Sequence, residues 1–128
     1  MEFKDKQAIY LQIAGYVSEQ ILLGKWPPGD RIPSVRDLGT ELEVNPNTVV
    51  RTYDYLQQKA VIYNKRGLGY FAADDAVERV RALRREQFLE TALPDFFRNL
   101  YLLDIGLDEI NHRYQAFLAQ EYPASLSS

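Results

Sequence analysis

Ile9, Ile13, Val17 and Ile21 recur every four residues, with Tyr10, Ala14 and Leu22 beside them. This spacing predicts a helix from about Lys6 to Leu23 with one broad buried stripe. Asp5 is placed to cap it, and Gly24 to end it as the residue just past the last turn. Lys25-Trp26-Pro27-Pro28-Gly29-Asp30 cannot be helical, because two prolines and a glycine make a rigid turn. Trp26 is expected to pack over the helix it follows.

A second pattern starts at Ser34, which can cap a short helix, with Asp37 three residues on. Val35, Leu38 and Leu42 carry its periodicity, which stops at Glu43-Val44. Asn45 is a good N-cap, and Pro46 suits the first helical position, where no N–H is needed. Val49, Tyr53, Leu56 and Ala60 then share one face. Asn47, Thr48, Val50, Arg51 and Tyr55 point elsewhere. A short helix, a tight turn and a second helix with a polar N-terminal outer face form a helix-turn-helix pattern. In that motif the first turns of the second helix enter the DNA major groove. A plain helical hairpin inside some other domain has the same local pattern.

Val61-Ile62-Tyr63-Asn64-Lys65 is rich in β-formers, Arg66-Gly67-Leu68-Gly69 is a turn, and Tyr70-Phe71-Ala72 can return as a second strand. Directly after a helix-turn-helix, such a hairpin reads as a wing, and its tip carries Lys65 and Arg66. A basic tip can reach DNA backbone or minor groove. An ordinary surface turn is the other reading. Gly67-Leu68-Gly69 is not a nucleotide loop: a third glycine and a following helix are both missing.

From residue 73 the character changes. Asp74 or Asp75 can cap a helix starting near Ala76, whose stripe begins Val77, Val80, Leu83, with Arg79, Arg81, Arg84 and Arg85 around it. The stripe broadens through Phe88, Leu89, Ala92, Leu93, Phe96, Phe97, Leu100, Tyr101 and Leu103. Pro94 breaks or kinks this helix unless the helix restarts at Thr91. Gly106 ends the segment, and Asp108 can cap a last helix with Ile110, Tyr114, Phe117 and Leu118 on one face. Two helices this apolar cannot cover each other, and surplus apolar surface marks an interface. The candidate interface residues are Phe88, Leu89, Leu93, Phe96, Phe97, Leu100, Ile110, Tyr114 and Phe117. The competing arrangement folds these helices back over the N-terminal part. The expected organisation is α+β, with a winged helix-turn-helix over 1–73, a helical dimerisation region over 74–122 and a disordered tail over 123–128.

Composition narrows the chemistry. The net charge of the 128 residues is −3, but residues 1–72 balance at +1 and residues 73–128 at −4. Any DNA-facing surface is therefore a local patch on the first part. No run of about 18 apolar residues suggests a membrane span. The N-terminus lacks a signal-peptide layout, and the absence of cysteine fits a reducing cytoplasm. No catalytic constellation is present, no cofactor is implied, and His112 has neither a cysteine nor a second histidine to share a metal. An enzyme is not expected. Glu78, Glu86 and Glu90 offer helical-spacing pairs to nearby arginines.

Several of these segments together resemble a known family. They are Ile9-Tyr10-Leu11-Gln12-Ile13, Gly24, the run from Pro28 to Leu38, Val44-Asn45-Pro46-Asn47-Thr48-Val49, Tyr53, Leu56 and Arg66-Gly67-Leu68-Gly69-Tyr70-Phe71. They resemble the winged helix-turn-helix of GntR-family bacterial transcription regulators, and the short acidic tail resembles the YtrA subfamily. The resemblance implies a DNA-binding, dimeric regulator, most simply a repressor of a pseudo-palindromic operator. YtrA-like relatives often adjoin transporter genes. It places Arg36, Asn45, Asn47, Thr48 and Arg51 at or near double-stranded DNA, with Gly67 and Gly69 approaching its backbone. Arginine can pair bidentately with guanine or phosphate, and Asn and Thr can donate to phosphates. Arg36 could instead brace the fold through Asp37 or Asp30. Pro46 and Val50 stand where many members carry basic residues, and Ala60 where glycine is frequent. A small-molecule effector is left open. Any such ligand is expected at a junction lined by groups such as Arg84, Arg85 or Tyr101. The alternative to a DNA-binding regulator is a winged-helix protein-interaction module.

Overall fold

A computed structural model describes residues 7–126. Helix α1 spans Ile9–Leu22, α2 Val35–Leu42 and α3 Pro46–Gln58. Strands β1, Ile62–Lys65, and β2, Gly69–Ala72, form an antiparallel hairpin with Ile62 opposite Ala72 and Lys65 opposite Gly69. Then come α4, Ala76–Gln87, a π-helical turn over Phe88–Ala92, α5, Leu93–Leu102, and α6, Leu107–Glu121. The chain forms two compact units, divided between Arg85 and Glu86.

The first unit has a continuous aliphatic core. Ile13, Val17 and Ile21 of α1 meet Leu38 of α2, Val49, Tyr53 and Leu56 of α3, and Val61 and Ile62 of the hairpin. Each fully buried side chain of this kind contributes about 1.5–3 kcal/mol. Ala76 and Val80 of α4 belong to the same core. The first half of α4 therefore packs with the first unit, although the expected division fell at 73/74. Trp26 meets Tyr16 of α1 edge-on, with centroids 6.3 Å apart.

Local chemistry sets most of the ends. Gly24 sits at φ +76°, and Gly24 and Lys25 donate backward to Ile21 O and Gln20 O, the hydrogen-bond pair of a left-handed helix stop. The Ser34 hydroxyl accepts from Asp37 N at 3.0 Å, and Asn45 Oδ1 from Asn47 N at 2.8 Å. Gly29 N donates to Ala72 O and Ile32 N to Tyr70 O, so the Pro-Gly segment runs along the outer edge of β2.

Some expectations are corrected. Ile9 is 48% exposed: it is the first residue of α1 and borders the open depression beside Asn47, Thr48 and Arg51, outside the core. The cap assigned to Asp5 lies outside the described residues. Ala60 is exposed and follows α3 in a left-handed turn at φ +61°, so it is not part of the buried face. α6 is capped by Gly106, which puts Asp108 inside the first turn, where its carboxylate favours the positive end of the helix. Pro94 sits in the first turn of α5, directly after the π turn. The wider turn makes room for a ring that would clash in a continuous α-helix. Pro123–Leu126 forms a 3-10 turn at the end of the described residues. The described ion pairs are Arg79–Asp75 and Arg113–Glu109, not pairs from Glu78, Glu86 or Glu90.

Candidate nucleic-acid interface

The α2–α3 turn is tight. Glu43 closes α2 at φ +57°, and Val44 N donates to Gly39 O at 2.9 Å. A Cβ on Gly39 would stand 3.0 Å from Val44 O and 3.3 Å from Pro46 Cγ. Gly39 thus permits the close approach that sets α3 against α2. Tyr53 locks α3 from behind by donating its hydroxyl to Pro33 O at 2.7 Å. Burial, with added repulsion from Tyr70 and Glu41, raises the pKa of that phenol well above 10, so it stays a donor. Tyr16 Oη meets Glu41 Oε1 at 3.2 Å and ties α1 to α2. Burial, then Glu41, raises that phenol's pKa as well.

With its apolar side buried, α3 turns Asn45, Asn47, Val50 and Arg51 to the exterior, and Thr48 is half-buried. Asn47, Thr48 and Arg51 line one open depression of about 350 Å³ together with Ala8, Ile9 and Tyr10 of the α1 start. Asn45 has a double position, because its oxygen is the α3 cap while the residue stays exposed. Arg36 is exposed on the first turn of α2 and pairs with neither Asp37 nor Asp30 among the described residues. Tyr55 is half-buried against Tyr10, edge-on at 6.1 Å.

In the wing, Leu68 N donates to Lys65 O, and Gly67 at φ +78° turns the tip with open space around it. Lys65 Nζ lies 4.8 Å over the Phe71 ring, which stacks on Tyr63 at 5.7 Å. Arg66 is exposed at the tip. Gly69 at φ +111° lies beneath Arg31, whose Nε would be 3.1 Å from a Cβ there. Arg31 also bridges to Phe71, so three cations border this hairpin. The sequence reading missed Gly39, Arg31 and the place of Tyr10. Arg31 had a visible signal, a cation just before Ile32-Pro33, but its contact with the wing needs two distant segments to meet. Arg84, considered for an effector site, donates to Gly15 O at 3.0 Å within the first unit.

Among the candidate interface residues of the second unit, Leu100 is buried, and Leu93 and Ile110 are half-buried. Phe88, Leu89, Phe96, Phe97, Tyr114 and Phe117 are each at least 40% exposed. Among the described residues no helix is long and apolar enough to cross a membrane. None of their His, Asp and Glu groups gathers into a metal site.

A capped helix, a glycine-tightened turn, a helix with a polar outer face and a basic hairpin define a winged helix-turn-helix, the DNA-binding domain of a transcriptional regulator. Residues 9–71 match the family model of bacterial regulatory proteins of the gntR family. The HTH-type transcriptional repressor YtrA of Bacillus subtilis (strain 168) is 34% identical over 98 residues, covering 73% of this chain and 75% of YtrA. The crystal structure of a GntR-family regulator from Bacteroides thetaiotaomicron superposes with TM-score 0.79 at 47% identity, covering 89% of this chain and 99% of that one. The DNA-binding domain of AraR in complex with operator ORR3 aligns with TM-score 0.52 at 25% identity, over 57% of this chain and 88% of that one. This chain belongs to the GntR family, and within it to the YtrA-like members.

Proposed function

We propose that the protein is a dimeric repressor that binds a pseudo-palindromic operator, one winged helix per half-site. The observation that carries this reading is the face of α3. Its apolar side is fully used in the core, yet it leaves Asn45, Asn47, Thr48 and Arg51 grouped at its N-terminal turns, beside a wing bordered by cations. Arg36 joins them as a phosphate or guanine contact, and Lys65, Arg66, Gly67 and Gly69 meet the backbone at the wing. The operator-bound state of AraR and the repressor role in YtrA's name support the same assignment. The exposed aromatic residues of the second unit supply the contact between copies. Transporter genes are the first regulated targets to examine.

Footprinting on the DNA flanking its own gene tests the reading. Two protected half-sites about one helical turn apart, or a multiple of that, are expected, with affinity falling steeply as salt rises. No protection, with affinity indifferent to salt, would identify a protein-interaction module instead.

A further inference from the structure

Arg51 is held by an aromatic ring from another helix. Its Cζ lies 3.9 Å from the centroid of Tyr10, on the first turn of α1. Tyr10 is itself braced: its carbonyl accepts from the buried Thr52 hydroxyl at 2.9 Å, and its ring meets Tyr55 edge-on. A ring fixed at backbone and edge is a platform. Among the described residues no carboxylate pairs with the guanidinium, the ion pairs there being Arg79–Asp75 and Arg113–Glu109. A guanidinium lying over a ring keeps its N–H donors directed outward in its own plane, available to a phosphate fork. Arg51 lines an open hollow together with Asn47 and Thr48.

We propose that Tyr10 is a positioning residue for DNA recognition, holding Arg51 at the edge of this hollow so that its N–H fork meets a backbone phosphate. This rests on the reading that α3 faces DNA. It adds to the interface a residue of α1, outside the helix-turn-helix.

The test is a double-mutant cycle on the full chain, titrated with duplex DNA from upstream of its own gene. Tyr10→Leu should weaken binding about 3–10-fold, the range of a cation–π contact. Tyr10→Phe, which keeps the ring face, should stay within about twofold. In an Arg51→Ala background, Tyr10→Leu should cause no further loss, because the ring acts only through the guanidinium. Arg51→Lys reports on the fork without touching the Tyr10 platform, and should lose nearly as much as Arg51→Ala. Unchanged or tighter binding by Tyr10→Leu, an equal loss in both backgrounds, or wild-type affinity in Arg51→Lys would each overturn the proposal. The wild-type titration separately reads the underlying assignment. A wild-type chain with no salt-sensitive affinity for this duplex overturns both.

Discussion

The two units place similar apolar content to opposite ends. In the first, Ile13, Val17, Ile21, Leu38, Val49 and Leu56 are almost wholly shielded, and the polar outer face of α3 is what remains outside. In the second, Leu100 is the one large apolar side chain among the described residues that reaches the buried class. Tyr101, Leu103 and Leu107 are 85, 66 and 68% exposed. The difference lies in geometry and residue size. Three helices and a hairpin surround a common centre with aliphatic stripes, whereas α5 and α6 carry aromatic residues on faces too broad for two helices to close. The first unit closes its apolar faces on themselves, and the second leaves broad apolar faces open, the surface proposed for contact between copies.

The largest effect should come from opening the completed core. Leu38→Ala should cost about 2–5 kcal/mol and lower the melting temperature of the first unit, taking DNA affinity with it. If stability is untouched, Leu38 is not the centre it looks like. The comparison is sharpened by Phe97→Asp, which should leave near-native circular dichroism but convert a dimer to monomers that hold one half-site weakly. Sedimentation reads it directly. A wild-type chain that is monomeric at about tens of micromolar, the scale of a weak interface, contradicts the premise.

Smaller effects test the outer face. Arg36→Ala should weaken operator binding by about 1–3 kcal/mol without changing the melting temperature. Equal affinity in an intact fold removes Arg36 from the interface. Tyr53→Phe should cost about 1–2 kcal/mol by leaving Pro33 O without its donor. The same phenol's pKa is raised in the fold, so its stabilising contribution is complete below about pH 10 and is lost as pH climbs through the folded value. Denaturant melts should therefore show a shallower alkaline decline in Tyr53→Phe than in wild type. Parallel curves would mean that another group governs that limb.

What could be read in advance followed from distance along the chain. Ser34, Asn45 and Gly24 act on atoms two to five residues away, and their roles follow from residue type and position. The hairpin itself follows from a glycine-containing turn between β-forming runs. Tyr10 over Arg51 and Arg31 against Gly69 are meetings between segments about forty residues apart, and residue spacing does not encode them. Ile9 shows the opposite failure. The period of four runs on to Ile9, which borders the open depression and stands outside the core. At Ala60 the relation is direct: glycine is frequent there because the backbone turns left-handed, and this chain accepts the strain with a methyl group.

The cap at Asn45 divides one amide between two tasks. Its oxygen is committed inward to the Asn47 N–H. The atom left to face the exterior is therefore the NH₂, a donor in search of an acceptor. Aspartate would cap the helix at least as well, since an anion suits a helix N-terminus. It would also turn a neutral donor into a negative charge at the place proposed for phosphates. Asparagine at this position trades a little fold stability for the polarity of the surface it presents. The two uses could be separated by one atom: Asn45→Asp should keep or raise the melting temperature while DNA affinity falls.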